Sequence, residues 1–353
     1  MKFEFTEEHQ ALRSLIAGVS EQQADPRACY DGQSVIDTRL WSVLCSAGVV
    51  GVGVPEAYEG GGGGPVEQVI IAEELGRAVA AVPFSEHAAA AETVALLGSE
   101  EQRKRLLFPL ARGEAVAGIV LPTPANLKAV EAHRDGARWR LSGHIPLIPN
   151  AGAATALLVP AHEDGQLRWL VTEAAQVSAL PTVDRTRPAA AAEFGDADAE
   201  LLSGSDISGR PGELLMTLAA AEAAGAAASA LQTTARYTTE RHQFGLPIGT
   251  FQAVKHRLAD MLVAVENARS AVYGAAWALA EGETAALSAS LAQAVATGNA
   301  VAVVSDAVQL HGGIGVTWEC DLHLYLRRVK ALEATYGSPS THRGRIADSL
   351  LDR

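Results

Sequence analysis

The stretch Glu240-Arg241-His242-Gln243-Phe244-Gly245-Leu246-Pro247-Ile248-Gly249-Thr250-Phe251-Gln252 separates two long Ala-rich segments of helical character. An Arg closes the first segment, a Phe-Gly-Leu-Pro turn follows, and Phe251-Gln252 opens the second. Nothing in an ordinary helix bundle calls for such a sequence. Arg241 and Gln252 are held on either side of a tight turn beside a helix N-terminus. Free amides and a guanidinium fork there suit a phosphate or a large polar cofactor. A plain helical corner with a surface Arg accounts for the stretch equally well when it is taken alone, so the rest of the chain decides.

At 353 residues there is room for roughly two or three subdomains and a substantial core. Hydrophobic residues make up 48% and aromatics only 5%, with Ala dominant, which is the composition of closely packed helices. A formal charge of −13 argues against nucleic acid or an anionic membrane as partner. There is no polybasic arm, and no apolar run is expected to be long enough to span a bilayer. The opening Met1-Lys2-Phe3-Glu4-Phe5 lacks the apolar core of a signal peptide, so a cytoplasmic location is expected. Cys29, Cys45 and Cys320 are odd in number and widely spaced, which indicates neither a disulfide framework nor a metal site.

Thr6 N-caps a predicted amphipathic helix over residues 6–23, with Glu7 and Glu8 in its first turn. Further helices are predicted over 34–47, 65–80, 84–97 and 99–112. The run Gly60 to Gly64 lacks the following Lys-Ser/Thr of an anion-binding loop, so it is expected to be a mobile surface loop. Short apolar or alternating runs at 115–121, 138–141, 156–160, 167–171 and 177–180, split by Gly, Pro and Asp, predict strands. Helices return at 211–241, 250–282, 286–310, 318–334 and 338–352. The fold class is therefore mainly α with an inserted β domain, divided as residues 1–113, 114–208 and 209–353. Within the last part, Gln309-Leu310-His311-Gly312-Gly313 runs a helix into a Gly pair where backbone can approach a ligand closely. His311 there is either a ligand contact or a capping group.

Several motifs now stand in order: Glu240-Arg241-x-x-Phe244-Gly245 with Phe251-Gln252, Leu258-Ala259-Asp260-Met261, Gln309-x-x-Gly312-Gly313-x-Gly315, and Arg327-Arg328-Val329-Lys330. Together with the opening Phe5-Thr6-Glu7-Glu8, they resemble the acyl-CoA dehydrogenase family over almost the whole chain. The resemblance implies an N-terminal helical domain, a β-barrel-like middle domain and a C-terminal four-helix bundle. It also implies a tetramer that binds FAD at a dimer interface, with the ADP half held by a neighbouring subunit. Arg241 then meets the pyrophosphate, Phe244 and Gln252 line the adenosine end, and Gln309, Gly312 and Gly313 add further contacts to the ADP half.

The positions for chemistry depart from the family. The family removes the α-proton of an acyl-CoA with a glutamate, and by ungapped counting that position is Tyr336, before Gly337. A phenol of pKa about 10 is only about 0.1% ionised at pH 7, a handicap of roughly 4 kcal/mol. Some members place the glutamate early in the helix before the Arg-x-x-Phe-Gly turn, and there the chain has Leu215. Glu213, two residues away, points about 200° around a helix from it. On the flavin-ring side the family's Thr-Glu-Pro-x-x-Gly-Ser segment corresponds to Leu121-Pro122-Thr123-Pro124-Ala125-Asn126-Leu127. Its Trp-Ile-Thr/Ser-Asn strand corresponds to Leu147-Ile148-Pro149-Asn150. Stacking area and hydroxyl donors are lost together.

No catalytic residue is therefore assigned. The chain resembles the auxiliary subunit of bacterial two-subunit α2β2 acyl-CoA dehydrogenases of steroid side-chain catabolism, in which the partner supplies the glutamate. Two alternatives are a catalytic homotetramer with a displaced base, at Glu213, Glu222 or Glu333, and a flavin-free scaffold of the same fold. A third is a related flavin monooxygenase or oxidase, which would also need the altered ring site.

Overall fold

A computed structural model describes residues 4–32, 34–136, 138–163, 166–203, 209–282 and 285–351. The expected boundary at 208/209, the first three residues of the chain and the expected helix end at Asp352 touch positions outside that set. Six helices come first: α1 (Glu7–Gln23), α2 (Pro26–Tyr30), α3 (Thr38–Ser46), α4 (Pro65–Arg77), α5 (Phe84–Leu97) and α6 (Glu100–Ala111). The β region contains β1 (Ala117–Ile119), a short α7 (Pro124–Ala129), β2 (Val130–Asp135), β3 (Arg138–Pro149), β4 (Ala156–Glu163), β5 (Gln166–Thr172), β6 (Gln176–Leu180) and β7 (Ala189–Leu201). The rest comprises α8 (Arg210–Glu240), the two-residue strands β8 (His242–Gln243) and β9 (Leu246–Pro247), α9 (Gln252–Ala280), α10 (Ala286–His311), α11 (Leu322–Thr335) and α12 (Pro339–Leu351).

The residues group into two compact units. The first comprises Met1–Pro26, Val69–Ala80 and Met216–Arg353. Thr6 caps α1 as its sequence predicts, and His9 returns the bond to the Thr6 amide. The long helices α8 and α10 each bury a run of alanines. That brings helix backbones close together, and α4 crosses α8 at a pair of glycines. A Cβ on Gly76 would lie 2.2 Å from the Glu222 carbonyl oxygen, and one on Gly225 would lie 1.9 Å from that of Glu73. Around this crossing sits a half-buried charge cluster. Arg13 donates to Glu73 at 2.9 Å and to Glu74 at 2.5 Å, and Arg269 donates to the other Glu73 oxygen at 2.8 Å. Burial alone would raise Glu73, but Arg13 and Arg269 hold its carboxyl below the usual range.

The second unit comprises Arg27–Gln68 and Ala81–Leu215. Its sheet runs β1-β4-β2-β3-β7-β5, and pairing of β4 with β5 closes a barrel, while β6 lies beside β7. Leu141, Ile145, Val159, Leu170, Ala192 and Phe194 fill the interior. Glu86, fully buried in the first turn of α5, accepts from Asn150 at 2.9 Å and pairs with Arg187 at 2.5 Å. His87 beside it is buried, and burial pushes its pKa down to about 4. It stays neutral, donating from Nε2 to the Leu110 carbonyl and accepting the Ala117 amide at Nδ1.

The architecture is the expected one, helical at both ends around a barrel-like sheet. Two expectations are corrected. The Gly60–Gly64 run is tied down: the amides of Gly61, Gly62 and Gly63 donate to the carbonyls of Gly51, Val54 and Val52 at 2.8–3.0 Å. Two apolar helical stretches, Arg210–Glu240 and Ala286–Val316, are long enough and apolar enough to span a bilayer, where none was expected. Their most apolar stretches are 83% and 56% buried in the fold, so packing accounts for much of the apolarity.

Gly225→Ala forces a Cβ into the carbonyl of Glu73 and is expected to lower stability by about 1–3 kcal/mol, as overpacking does. Gly274→Ala, on a helix face with open space around it, serves as control and leaves the urea midpoint unchanged or slightly raised. Equal midpoints for the two variants would contradict this account of the crossing.

Candidate functional site

α8 ends at Glu240, and the Arg241 amide still donates to the Tyr237 carbonyl at 2.9 Å. The chain then doubles back as a two-residue hairpin, with His242 paired to Pro247 and Gln243 to Leu246. Phe244 and Gly245 at its tip have φ of 51° and 79°, the twist of a type I′ turn. The Ile248 amide donates to the Arg241 carbonyl at 2.8 Å and closes the loop. Gln252 is the first residue of α9, and the N-cap Phe251 brings no side-chain acceptor to that helix end. Phe244 is 93% exposed and meets Phe251 edge-on at 6.2 Å.

The second Gly-rich turn begins where α10 ends. Gly312 sits at φ 65°, ψ −142°, a conformation only glycine adopts readily, and its amide donates to the Gln309 carbonyl. The two turns lie at one end of the helix bundle. Tyr237 in the last turn of α8 stacks on His311 at 4.1 Å with 17° between the planes. Arg257 of α9 pairs with Asp306 of α10 at 3.2 Å. Arg241, Phe244, Gln252, Gln309, Gly312 and Gly313 are consequently brought together and all are exposed. The Arg241 guanidinium has no ion pair or hydrogen bond among the described residues. A cavity of about 350 Å³, lined by Arg236, Tyr237, Glu240, His311, Glu319 and Tyr325, lies alongside.

The His311 side chain makes no capping bond to the Gly turn. Its ring is buried against Tyr237, and Nδ1 bonds the Ala307 carbonyl one turn back at 2.8 Å. Sequence reasoning passed over Tyr237, because an isolated Tyr in an Ala-rich helix carries no pattern of its own.

Two family models match most of the chain. The acyl-CoA dehydrogenase N-terminal domain model matches residues 6–114, and the acyl-CoA dehydrogenase C-terminal domain model matches residues 217–351. Acyl-CoA dehydrogenase IpdE2 of Mycobacterium tuberculosis is 34% identical over 94% of this chain and 94% of its own. The chain belongs to the acyl-CoA dehydrogenase family. Among solved structures, the ChsE4–ChsE5 complex from Mycobacterium tuberculosis matches with a TM-score of 0.93 at 29% identity over the full length of both chains. The Tcur3481–Tcur3483 steroid ACAD matches with a TM-score of 0.91 at 32% identity over 98% of each chain.

Against the family pattern, Tyr336 is 3% exposed and closes α11 as its C-cap. Leu215 is 1% exposed. The three carboxylates considered as displaced bases are all held by the fold. Glu222 lies 3.5 Å from Arg328, which is itself buried and donates to the carbonyls of Val79 and Ala80. Glu333 pairs with Lys330 at 3.2 Å, and Glu213 is buried in the first turn of α8. In the second unit, the Thr123 hydroxyl accepts the Asn126 amide and so caps α7. Asn150 stands at φ 55° with its side chain bound to Glu86, and Leu147 is exposed on β3.

Because the Arg241 guanidinium has no partner among the described residues, Arg241→Ala is expected to shift stability by less than about 0.5 kcal/mol. Urea unfolding checks this. A larger loss would mean that the side chain serves the fold.

Proposed function

We infer that this chain is the non-catalytic subunit of an FAD-dependent acyl-CoA dehydrogenase, a cytoplasmic α2β2 heterotetramer in which it completes the partner's flavin site. The observation that carries this is the contrast between its sites. Both positions where the family places its glutamate hold a buried non-carboxylate side chain, Tyr336 and Leu215. The end of the bundle bearing Arg241 and Gly312-Gly313 is exposed, and the Arg241 guanidinium has no partner among the described residues. The resemblance to two-chain complexes supports the heteromeric assembly, and the steroid ACAD among them supports a bulky steroid-type acyl-CoA as substrate.

The residues present fit the ADP half of FAD. The Arg241 fork offers paired donors to a pyrophosphate, as a planar guanidinium does best. The start of α9 adds amide dipole, and Gln252 and Gln309 add neutral donors. Gly312 and Gly313 leave bare backbone, with nothing within 4 Å of where their Cβ atoms would stand. Bound FAD supplies the acceptor for the hydride leaving the acyl β-carbon. The α-proton is taken by a carboxylate of the partner, since Glu213 and Glu222 are buried in this chain and Glu333 is paired with Lys330 at its surface.

Expressed alone, the chain is expected to purify without flavin. Co-expressed with an acyl-CoA dehydrogenase-like chain that carries the glutamate, the complex should hold one FAD per pair of unlike chains, not one per chain. Arg241→Ala in this chain should weaken FAD retention by about 1.5–3 kcal/mol, the worth of a hydrogen bond to a charged group. A yellow isolated chain bleached anaerobically by an acyl-CoA would refute the assignment in favour of a displaced base. Unchanged FAD content in the Arg241→Ala complex would favour a scaffold that binds no flavin.

A further inference from the structure

A cavity of about 860 Å³ lies wholly within the second unit. One side of it is the stretch from the end of α2 to Val35, and another is the start of β7 with the face of β6 that carries Val177 and Ala179. The turn after β3 adds Ala151, Gly152 and Ala154. The space is open because so many of these side chains stop at Cβ or before it. A Cβ on Gly152 would meet one atom within 4 Å, a Val35 methyl at 3.8 Å. Val35 is 54% exposed and Val177 39%. Two β-branched side chains left in water in one cleft present apolar area that an apolar occupant would cover. The volume is that of a small-molecule site, apolar for the most part with a few polar groups.

Those polar groups narrow the occupant. The Ser34 hydroxyl donates to the Ile36 carbonyl at 2.5 Å and the Thr182 hydroxyl to the Asp184 carbonyl at 2.8 Å, so both donors are engaged inside the chain. Arg185 also lines the cleft, and its guanidinium forms no ion pair or hydrogen bond among the described residues. It is nevertheless placed: it lies over the ring of the buried Tyr30, 5.3 Å from the centroid. No Asp or Glu among the described residues lines the cavity, although the chain as a whole carries a formal charge of −13. One available guanidinium fork in an apolar cleft complements an apolar molecule that bears one carboxylate.

We propose that this cleft binds an amphipathic carboxylate, its apolar body lying along Val35, Gly152 and Val177 and its carboxylate on Arg185. The site is separate from the one assigned to the flavin. The Arg241 end belongs to the first unit, and neither Leu147 nor Pro149, on the strand that corresponds to the family's ring side, lines the cleft.

The test is equilibrium dialysis of the full chain against decanoate below its micelle concentration, with 1-decanol as the uncharged probe of equal length. Decanoate is expected to bind, and Arg185→Gln to weaken it by about tenfold or more, the fold-change for losing a hydrogen bond to a charged group. The alcohol should bind at least about tenfold more weakly than the acid and should not respond to Arg185→Gln. Gly152→Leu, whose side chain has room to enter the cleft, should abolish binding of the acid and keep the wild-type melting temperature. Val35→Glu, at an exposed position, sets a carboxylate in the same cleft and should abolish binding even where Gly152→Leu proves unstable. Wild-type affinity for decanoate in Arg185→Gln and Val35→Glu would place binding elsewhere, the acyl site included, and would overturn the proposal. So would no binding of decanoate to the wild-type chain, or equal binding of acid and alcohol. Sedimentation in which Val35→Glu splits a dimer of this chain would overturn it as well, because the cleft would then be a contact between copies.

Discussion

The backbone-to-backbone crossing of α4 and α8 is the constraint on which the first unit depends. With no side chain at Gly76 or Gly225, the two helices meet at a distance that any Cβ would forbid. Alanine along α8 keeps the packing close beyond the crossing, and alanine loses almost no side-chain entropy when it is buried. Such close packing leaves little room to satisfy charge, yet three arginines are placed about the crossing. Arg13 and Arg269 converge on Glu73, while Arg328 reaches Glu222 and two carbonyls at the end of α4. Removing one partner from such a set leaves a buried charge uncompensated, which costs far more than the pair contributes.

That arrangement has a chemical consequence. A general base must be able to reach a substrate proton and must not already be committed elsewhere. Glu73 is held ionised between two guanidinium groups, and Glu222 lies behind Arg328. In the second unit the fully buried Glu86 is occupied by Asn150 and Arg187. These carboxylates sit where they complete polar networks in a tightly packed interior. The network at Glu86 also fixes Asn150 in its left-handed conformation at the end of β3, so the altered strand Leu147-Ile148-Pro149-Asn150 is held in one geometry.

Much of this was legible in the sequence. The long helices were readable because Ala-rich segments bounded by Gly and Pro have few other options, and α5 and α9 lie close to their predicted limits. The β region was readable only in part. β7 begins Ala189-Ala190-Ala191-Ala192, which has weak strand propensity, and its role comes from pairing with β3 and β6. β2 reads as a polar loop because its side chains after Val130 are mostly exposed. The Gly60 run was misjudged because composition does not reveal which amides find carbonyl partners. At the candidate site, Arg241 and the Gly312-Gly313 pair were visible as motifs. The Tyr237–His311 stack that joins them was not, since it links residues separated by 74 positions.

The stack explains why two distant motifs act as one surface. Tyr237 lies one turn before Arg241, and His311 immediately precedes Gly312, so a single aromatic contact sets the spacing between the guanidinium and the bare backbone. His311 is locked in turn by its own helix through the Ala307 carbonyl. The flexible side chain of Arg241 thus starts from a fixed root while its tip has no partner among the described residues. A cation built into the fold would be paired, as Arg13, Arg187 and Arg328 are. One held in place at its base and unpaired at its tip is suited to an anion that arrives from outside the chain.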